Sequence, residues 1–123
     1  MTLPRGTVIL VELDPTIGHE QRGVRPCVVV GDPVATHHQR FPLVVVVPVT
    51  STPGVGALYP RIGAGSGGLV RESWALADQV RAIDKRRVLR AYGQIAPAEL
   101  QQIDRALLFI LGLAPDTRAR EAL

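Results

Sequence analysis

The stretch LVVVVPV, residues 43–49, constrains the fold of this chain more than any other. Every position is apolar, without the alternation of a strand that keeps one face wet, so both faces must be covered. The run is far shorter than the roughly 20 apolar residues a membrane span needs. Pro48 cannot donate to a sheet ladder, which predicts that this end of the strand lies at a sheet edge or a bulge. A second such run, Cys27–Val30, is bounded by Pro26 and by Gly31-Asp32-Pro33. Two strands of this kind belong at the centre of a small barrel, or of a sheet covered by a helix. Aromatic residues are only 4% of the chain, so branched aliphatics, mostly valine, must fill the interior. A length of 123 residues suits one domain spanning positions 1–123.

The remaining pattern is consistent with that core. Thr7–Leu13 is β-rich and ends in Asp14-Pro15, a turn signal. Ser51–Gly68 is a long glycine- and proline-rich segment, with a strand expected near Leu58–Ile62. Loops of that length in a small domain are usually functional or disordered. Ser73–Ala77 and Val88–Ile95 read as strands, with a turn or short helix over Asp78–Arg87. From Pro97, apolar residues at Leu100, Ile103, Leu107 and Ile110 or Leu111 recur at helical spacing, and Gly112 and Pro115 stop the helix. Glu99 suits the positive end of that helix, and Glu99, Asp104 and Arg105 fall outside the apolar stripe, on a face expected to be solvated. Residues 116–123 are polar and predicted to fray. The order predicts an α+β chain, mainly β: a small barrel-like antiparallel sheet closed by a C-terminal helix, with the chemistry on its loops. The N-terminus has no apolar signal region, which predicts a cytoplasmic location.

Charge narrows the function less. The net charge is +3 and the pI about 9.8, suited to a polyanion without requiring one. Of 14 basic residues only Lys85 is lysine. Arginine forms planar, bidentate contacts to phosphate, but a GC-rich genome accounts for the same bias. The single cysteine, Cys27, excludes an intramolecular disulfide and a multi-cysteine metal site, and reads as a small buried apolar group. His37 and His38 lack the neighbours that would make a metal site. GAGSGG at 63–68 does not open a helix as a phosphate loop does, and there is no G-x-S-x-G elbow.

Polar residues concentrate beside strands in three places: Gly18–Arg25, Thr50–Thr52 and Asp78–Lys85. Arg25 precedes Pro26, which holds its backbone extended. A guanidinium fixed there keeps its charge and suits a phosphate; pairing with Glu12, Asp14 or Glu20 explains it equally well. The hydroxyls of Thr50 and Ser51 emerge at a strand end, to hold a phosphate or to cap local backbone. His19 can move protons near neutral pH, or can simply be an exposed turn histidine.

At these residues the chain resembles the MazF/PemK-type toxins of bacterial toxin–antitoxin pairs, including their Kid-like branch. RG at 5–6, LDPTIGHEQRGVRPCVVV at 13–30, VVVVPVTS at 44–51 and ADQVRAIDKRR at 77–87 follow the family's pattern in order, over nearly the whole chain. The resemblance implies an SH3-like barrel of the type shared with CcdB proteins, a two-fold dimer, and metal-independent, sequence-specific cleavage of single-stranded RNA with no cofactor. It also implies a cognate antitoxin whose C-terminal segment covers the RNA groove. Arg25 matches the family arginine for transition-state stabilisation, and Thr50 the threonine at the scissile phosphate. His19 matches the Kid-like histidine, and Asp78 a proposed base. The Kid-like arginine two residues before that aspartate is here Leu76, so the trio is incomplete. Glu20, Gln21, Ser51, Gln79 and Arg81 fall at positions implied to contact RNA or order the loop. The alternatives are a CcdB-like gyrase-binding toxin or an inactive RNA-binding relative.

Overall fold

The valine run becomes the central strand of a curled antiparallel sheet. The computed structural model describes residues 2–113, and its strands are β1 (Thr7–Glu12), β2 (Val24–Val29), β3 (Leu43–Thr50), β4 (Arg61–Ile62), β5 (Ser73–Ala75), β6 (Arg81–Asp84) and β7 (Val88–Gln94). They run in the order β4-β5-β3-β2-β1-β7, with β6 also paired to β3. Two α-helices, α1 (Pro33–His37) and α2 (Pro97–Ile110), and three single 3-10 turns complete the elements among the described residues. This is the expected α+β half-barrel with a C-terminal helix. Among the described residues no helix is long and apolar enough to cross a membrane.

Both faces of β3 are indeed covered. Val47 and Val49 join Val8 and Val28 in a core closed by Ile103, Ala106 and Leu107 of α2. Val44 and Val46 point the other way and join Ile9, Val11, Cys27 and Val29 over Leu3, Leu13 and Ile83. The pleat sends successive side chains to opposite faces. A strand between two cores therefore shows no polar positions, and this accounts for the unbroken apolar runs in the sequence.

Pro48 is not at the sheet edge. Leu43–Val46 pair with β6, and Val49–Thr50 pair with β5. The Pro48 carbonyl accepts from Leu76 N at 2.8 Å between those two ladders. In extended backbone the N–H and C=O of one residue point the same way, so the missing donor falls in the gap where β6 gives way to β5.

The structure differs from the sequence pattern elsewhere too. Strand β2 begins at Val24 rather than Cys27, because Arg25 pairs with Val11 and Pro26 with Leu10. Within Asp78–Arg87, Arg81–Asp84 is a strand, supplied with partners by the exposed flank of β3. Pro33–His37 forms a short helix, with Pro33 in its first turn and the Asp32 carboxylate accepting from Val34 N at 2.8 Å. The Leu58–Ile62 strand shrinks to Arg61–Ile62. In α2, Ile110 and Leu111 are 40% and 57% exposed, and Ala106 takes their place on the buried face. Pro115 and the tail 116–123 lie outside the described residues.

Two of the acidic side chains expected on a solvated helix face hold the fold together. Asp104 pairs with Arg5, whose Nη1 donates to Oδ2 at 3.1 Å while Nε donates to Val30 O at 2.9 Å. Glu99 accepts from Gly63 N at 2.7 Å, from Ala96 N at 2.9 Å and from the Ser66 hydroxyl. Burial pushes the Glu99 carboxyl up, but these hydrogen bonds outweigh it and hold the pKa below the ordinary value. Glu99→Ala is expected to destabilise by roughly 1–3 kcal/mol, since three donors lose their acceptor. The lowered folded-state pKa means this contribution is present above the unfolded value, near about 4.3, and is lost as pH falls through the folded value. Urea melts should show a gap between wild type and variant at neutral pH that closes in acid; an equal gap in both would contradict the assignment.

Candidate active site

Three loops meet at the end of the sheet where β2 and β3 run past their shared ladder. The first, between β1 and β2, is strapped down by arginines. Arg87 Nη1 donates to Glu12 O at 3.1 Å and to Asp14 O, and Arg81 Nη1 donates to Leu13 O at 3.2 Å. Glu20 folds the loop on itself by accepting from Ile17 N at 2.8 Å. Gln79, in the turn before β6, then anchors it. Its Oε1 accepts from Gln21 N at 2.6 Å, and its Nε2 donates to His19 O at 3.3 Å.

The loop after β3 is anchored to the same turn. Tyr59 donates its hydroxyl to Asp78 Oδ2 at 2.8 Å, and that bond, with partial burial and the aspartate's charge, raises the phenol pKa. Gly54 lets the loop close on the Tyr59 ring: a Cβ at position 54 would stand 2.7 Å from Tyr59 Cβ.

These contacts enclose two adjoining hollows that share Gln21 and Gln79. The larger, about 550 Å³, is lined also by Thr50, Thr52, Tyr59 and Leu76. Its size falls within the range of ligand sites. The smaller, about 210 Å³, takes in Glu20, Asp78 and Arg81. Six of the predicted residues are therefore brought together: Glu20, Gln21, Thr50, Asp78, Gln79 and Arg81. His19, Arg25 and Ser51 line neither hollow.

Arg25 is placed beside them by register. The β2–β3 ladder ends at Cys27–Pro48, and Arg25 and Thr50 stand two residues further along each strand. The pleat gives Arg25 the face of Cys27, and Thr50 the face of Pro48 and Val46. None of the three carboxylates considered as its partner engages it. Glu12 accepts from Asp14 N at 3.0 Å, Asp14 from the Thr16 hydroxyl at 3.2 Å, and Glu20 from Ile17 N at 2.8 Å. Arg25 Nε donates to Arg22 O at 3.0 Å. Its outer nitrogens meet no carboxylate among the described residues.

Thr50 does part of the capping considered for it, since its hydroxyl oxygen accepts from Thr52 N at 3.1 Å. The hydroxyl proton remains available for a phosphate oxygen. His19 is exposed, and the hydrogen bond that holds it uses its carbonyl, not its ring. Cys27 is fully buried, and that burial pushes its thiol up to about 12, so at neutral pH it is no nucleophile. His37 Nε2 accepts from Leu3 N at 2.9 Å and His38 Nδ1 from Arg40 N at 3.1 Å, so both rings serve the fold. No cluster of metal-ligating side chains occurs among the described residues. The bond of Tyr59 to Asp78, 19 residues on, leaves no local signal in the sequence.

The hollows thus offer amides, hydroxyls, an aromatic ring, the carboxylates of Glu20 and Asp78 and the Arg81 guanidinium, with Arg25, which meets no carboxylate among the described residues, next to them. That combination suits a phosphodiester flanked by flat polar groups. Comparison with known proteins points the same way. Residues 4–111 match the model of the PemK-like, MazF-like toxins of type II toxin–antitoxin systems. Endoribonuclease MazF9 of Mycobacterium tuberculosis is 39% identical over 116 residues, covering 89% of this chain and 96% of its own. Among solved structures, MazF from Deinococcus radiodurans (form I) superposes with a TM-score of 0.74 at 27% identity, covering 89% of this chain and 97% of that one. A MazE–MazF structure from the same organism (form II) gives 0.71 at 25% identity, over 91% of this chain and 98% of that one.

Proposed function

This chain belongs to the PemK-like, MazF-like toxins of type II toxin–antitoxin systems, and from that membership we propose that it is the endoribonuclease of such a pair, cutting single-stranded RNA without a metal. The observation that carries the reading is the unpaired Arg25 guanidinium at the same strand end as the Thr50 hydroxyl, beside hollows lined by the RNA-contacting candidates.

The reaction needs no protein nucleophile. The RNA's own 2′-oxygen bonds to the adjacent phosphorus, the P–O5′ bond breaks, and the products end in a 2′,3′-cyclic phosphate and a 5′-hydroxyl. A proton must leave the 2′-hydroxyl and another must reach the departing 5′-oxygen. Negative charge accumulates on the phosphorane between these events. Arg25 supplies fixed positive charge there, and the Thr50 O–H donates to a phosphate oxygen. Arginine is a poor base because it holds its proton far above neutral pH. His19 is the proton-transfer group of this reading, on the loop whose Glu20 and Gln21 line the hollows. Asp78 is occupied by Tyr59, so its role here is to position the β3–β4 loop rather than to take a proton.

The reading also includes a two-fold homodimer and a cognate antitoxin whose C-terminal segment occupies the RNA groove. Nothing in the site favours a gyrase-binding toxin. Mixed-sequence RNA incubated with purified protein in EDTA should be cut to 2′,3′-cyclic phosphate ends. Intact RNA, or cleavage only when divalent metal is restored, would overturn the proposal. In the same assay His19→Ser should lower the rate by about 10²–10⁴-fold. An unchanged rate would strip His19 of its role.

A further inference from the structure

The register places a row of side chains across the sheet that starts at the larger hollow and leads out of it. Thr50 of β3 is directly opposite Trp74 of β5. Trp74 is in turn directly opposite Arg61 of β4. Directly opposed residues project from the same face with Cβ atoms about 4.5–5.5 Å apart. Thr50, Trp74 and Arg61 therefore form a continuous line of hydroxyl, indole and guanidinium on one face. Tyr59 and Leu76, just outside β4 and β5, line the larger hollow with Thr50. The row leads away from the phosphate site, and each strand adds about 4.8 Å, so Arg61 stands roughly 10 Å from Thr50.

From this we infer that Trp74 is a base-stacking platform and Arg61 a second phosphate contact, and that together they carry the bound RNA across β5 and β4. The inference rests on the ribonuclease reading and names where its substrate lies beyond the cut.

Each member suits the part. Trp74 is half-buried, so part of the residue is open to solvent. An accessible indole offers any nucleobase a flat partner, without preference for sequence. Arg61 is exposed and pairs through Nη1 with Glu72 at 2.8 Å. That contact engages one of five N–H donors, and an exposed ion pair is weak, so a phosphate can bind beside Glu72 or displace it. The nearby carboxylate makes Arg61 a weaker anion site than the carboxylate-free Arg25. It therefore serves to guide the strand rather than to stabilise a transition state.

Trp74 is the chain's only tryptophan, so the unmodified protein reports on the proposal directly. The probe is a mixed-sequence, fully 2′-O-methylated RNA dodecamer, which binds without being cut. Titration should quench the tryptophan fluorescence to saturation. Trp74→Phe, which keeps an aromatic face, should bind nearly as wild type. Trp74→Leu keeps apolar packing without that face and should bind about 5- to 150-fold more weakly. In cleavage of unmodified RNA its loss should appear in KM, with kcat held. Arg61→Gln should weaken binding and flatten the slope of log affinity against log salt by about 0.7. RNA that binds and is cut with the fluorescence unmoved, or Trp74→Leu with wild-type KM, overturns the platform while leaving the ribonuclease standing. Failure of the wild type either to bind the dodecamer or to cut unmodified RNA overturns the ribonuclease reading and this inference with it.

Discussion

Arg25→Ala should abolish most of the cleavage while leaving the protein folded. Removing one preorganised donor to a developing oxyanion typically costs a factor of about 10²–10³ in kcat. Arg25 is exposed, and the hydrogen bond from its guanidinium, to Arg22 O, is a local contact. The melting transition should therefore stay within about 0.5 kcal/mol of wild type. Arg25→Lys should fall between the two, because an ammonium keeps the charge but loses the planar fork that grips two phosphate oxygens. Single-turnover cleavage of a mapped RNA site, with a thermal melt of each variant, checks this. Wild-type rates in the alanine variant would remove Arg25 from the mechanism.

The largest stability effect should come from a glycine. Gly67 has φ of +61°, and a Cβ there would lie 2.4 Å from Val8 Cγ2 and 3.0 Å from Ile95 Cγ2. Val8 is completely buried between β2 and the helix-covered core, so it has nowhere to move. Overpacking and the left-handed backbone together predict that Gly67→Ala loses about 2–4 kcal/mol, with a fall in Tm on the order of 10 °C or more. Gly68→Ala is the control. Its φ is +82°, but its nearest obstacle is Tyr92 Cβ at 3.2 Å, on the exposed strand β7. It should cost less than half as much. Equal losses in the two variants would mean that backbone conformation, and not the buried clash, sets the cost.

Both predictions show what local sequence conveys. The strands of the two cores were legible because branched aliphatics without polar interruption have no stable place except between two apolar layers. The C-terminal helix was legible from Pro97 to its end at Ile110, but its period overstated the buried face, since Ile110 and Leu111 are exposed. Strand β6 was not legible, because Arg81–Asp84 is short and polar at both ends. It is a strand because β3 offers it an open flank. Glu99 and Asp104 looked solvated because helical spacing says only which face they occupy. It cannot say that Arg5 and the 63–66 turn come to meet them.

The site divides in the same way. GHEQRGVRP, VTS and ADQ are contiguous motifs, and they marked Arg25, Thr50, His19 and the polar residues around them as candidates. Whether Arg25 is spent on a carboxylate was undecidable from spacing, because Glu12, Asp14 and Glu20 are all near it in the chain. The fold decides it by giving each of those carboxylates a nearer donor. It also commits Asp78 to Tyr59, makes Gln79 the anchor of the first loop, and lines up Thr50, Trp74 and Arg61 across three strands. The sequence by itself determined which segments must be buried and which residue types stand at the strand ends, because burial and chain stiffness act on neighbours. Only the tertiary structure decided which of those polar groups are consumed by the fold and which are left facing a ligand, because that depends on partners brought together from distant parts of the chain.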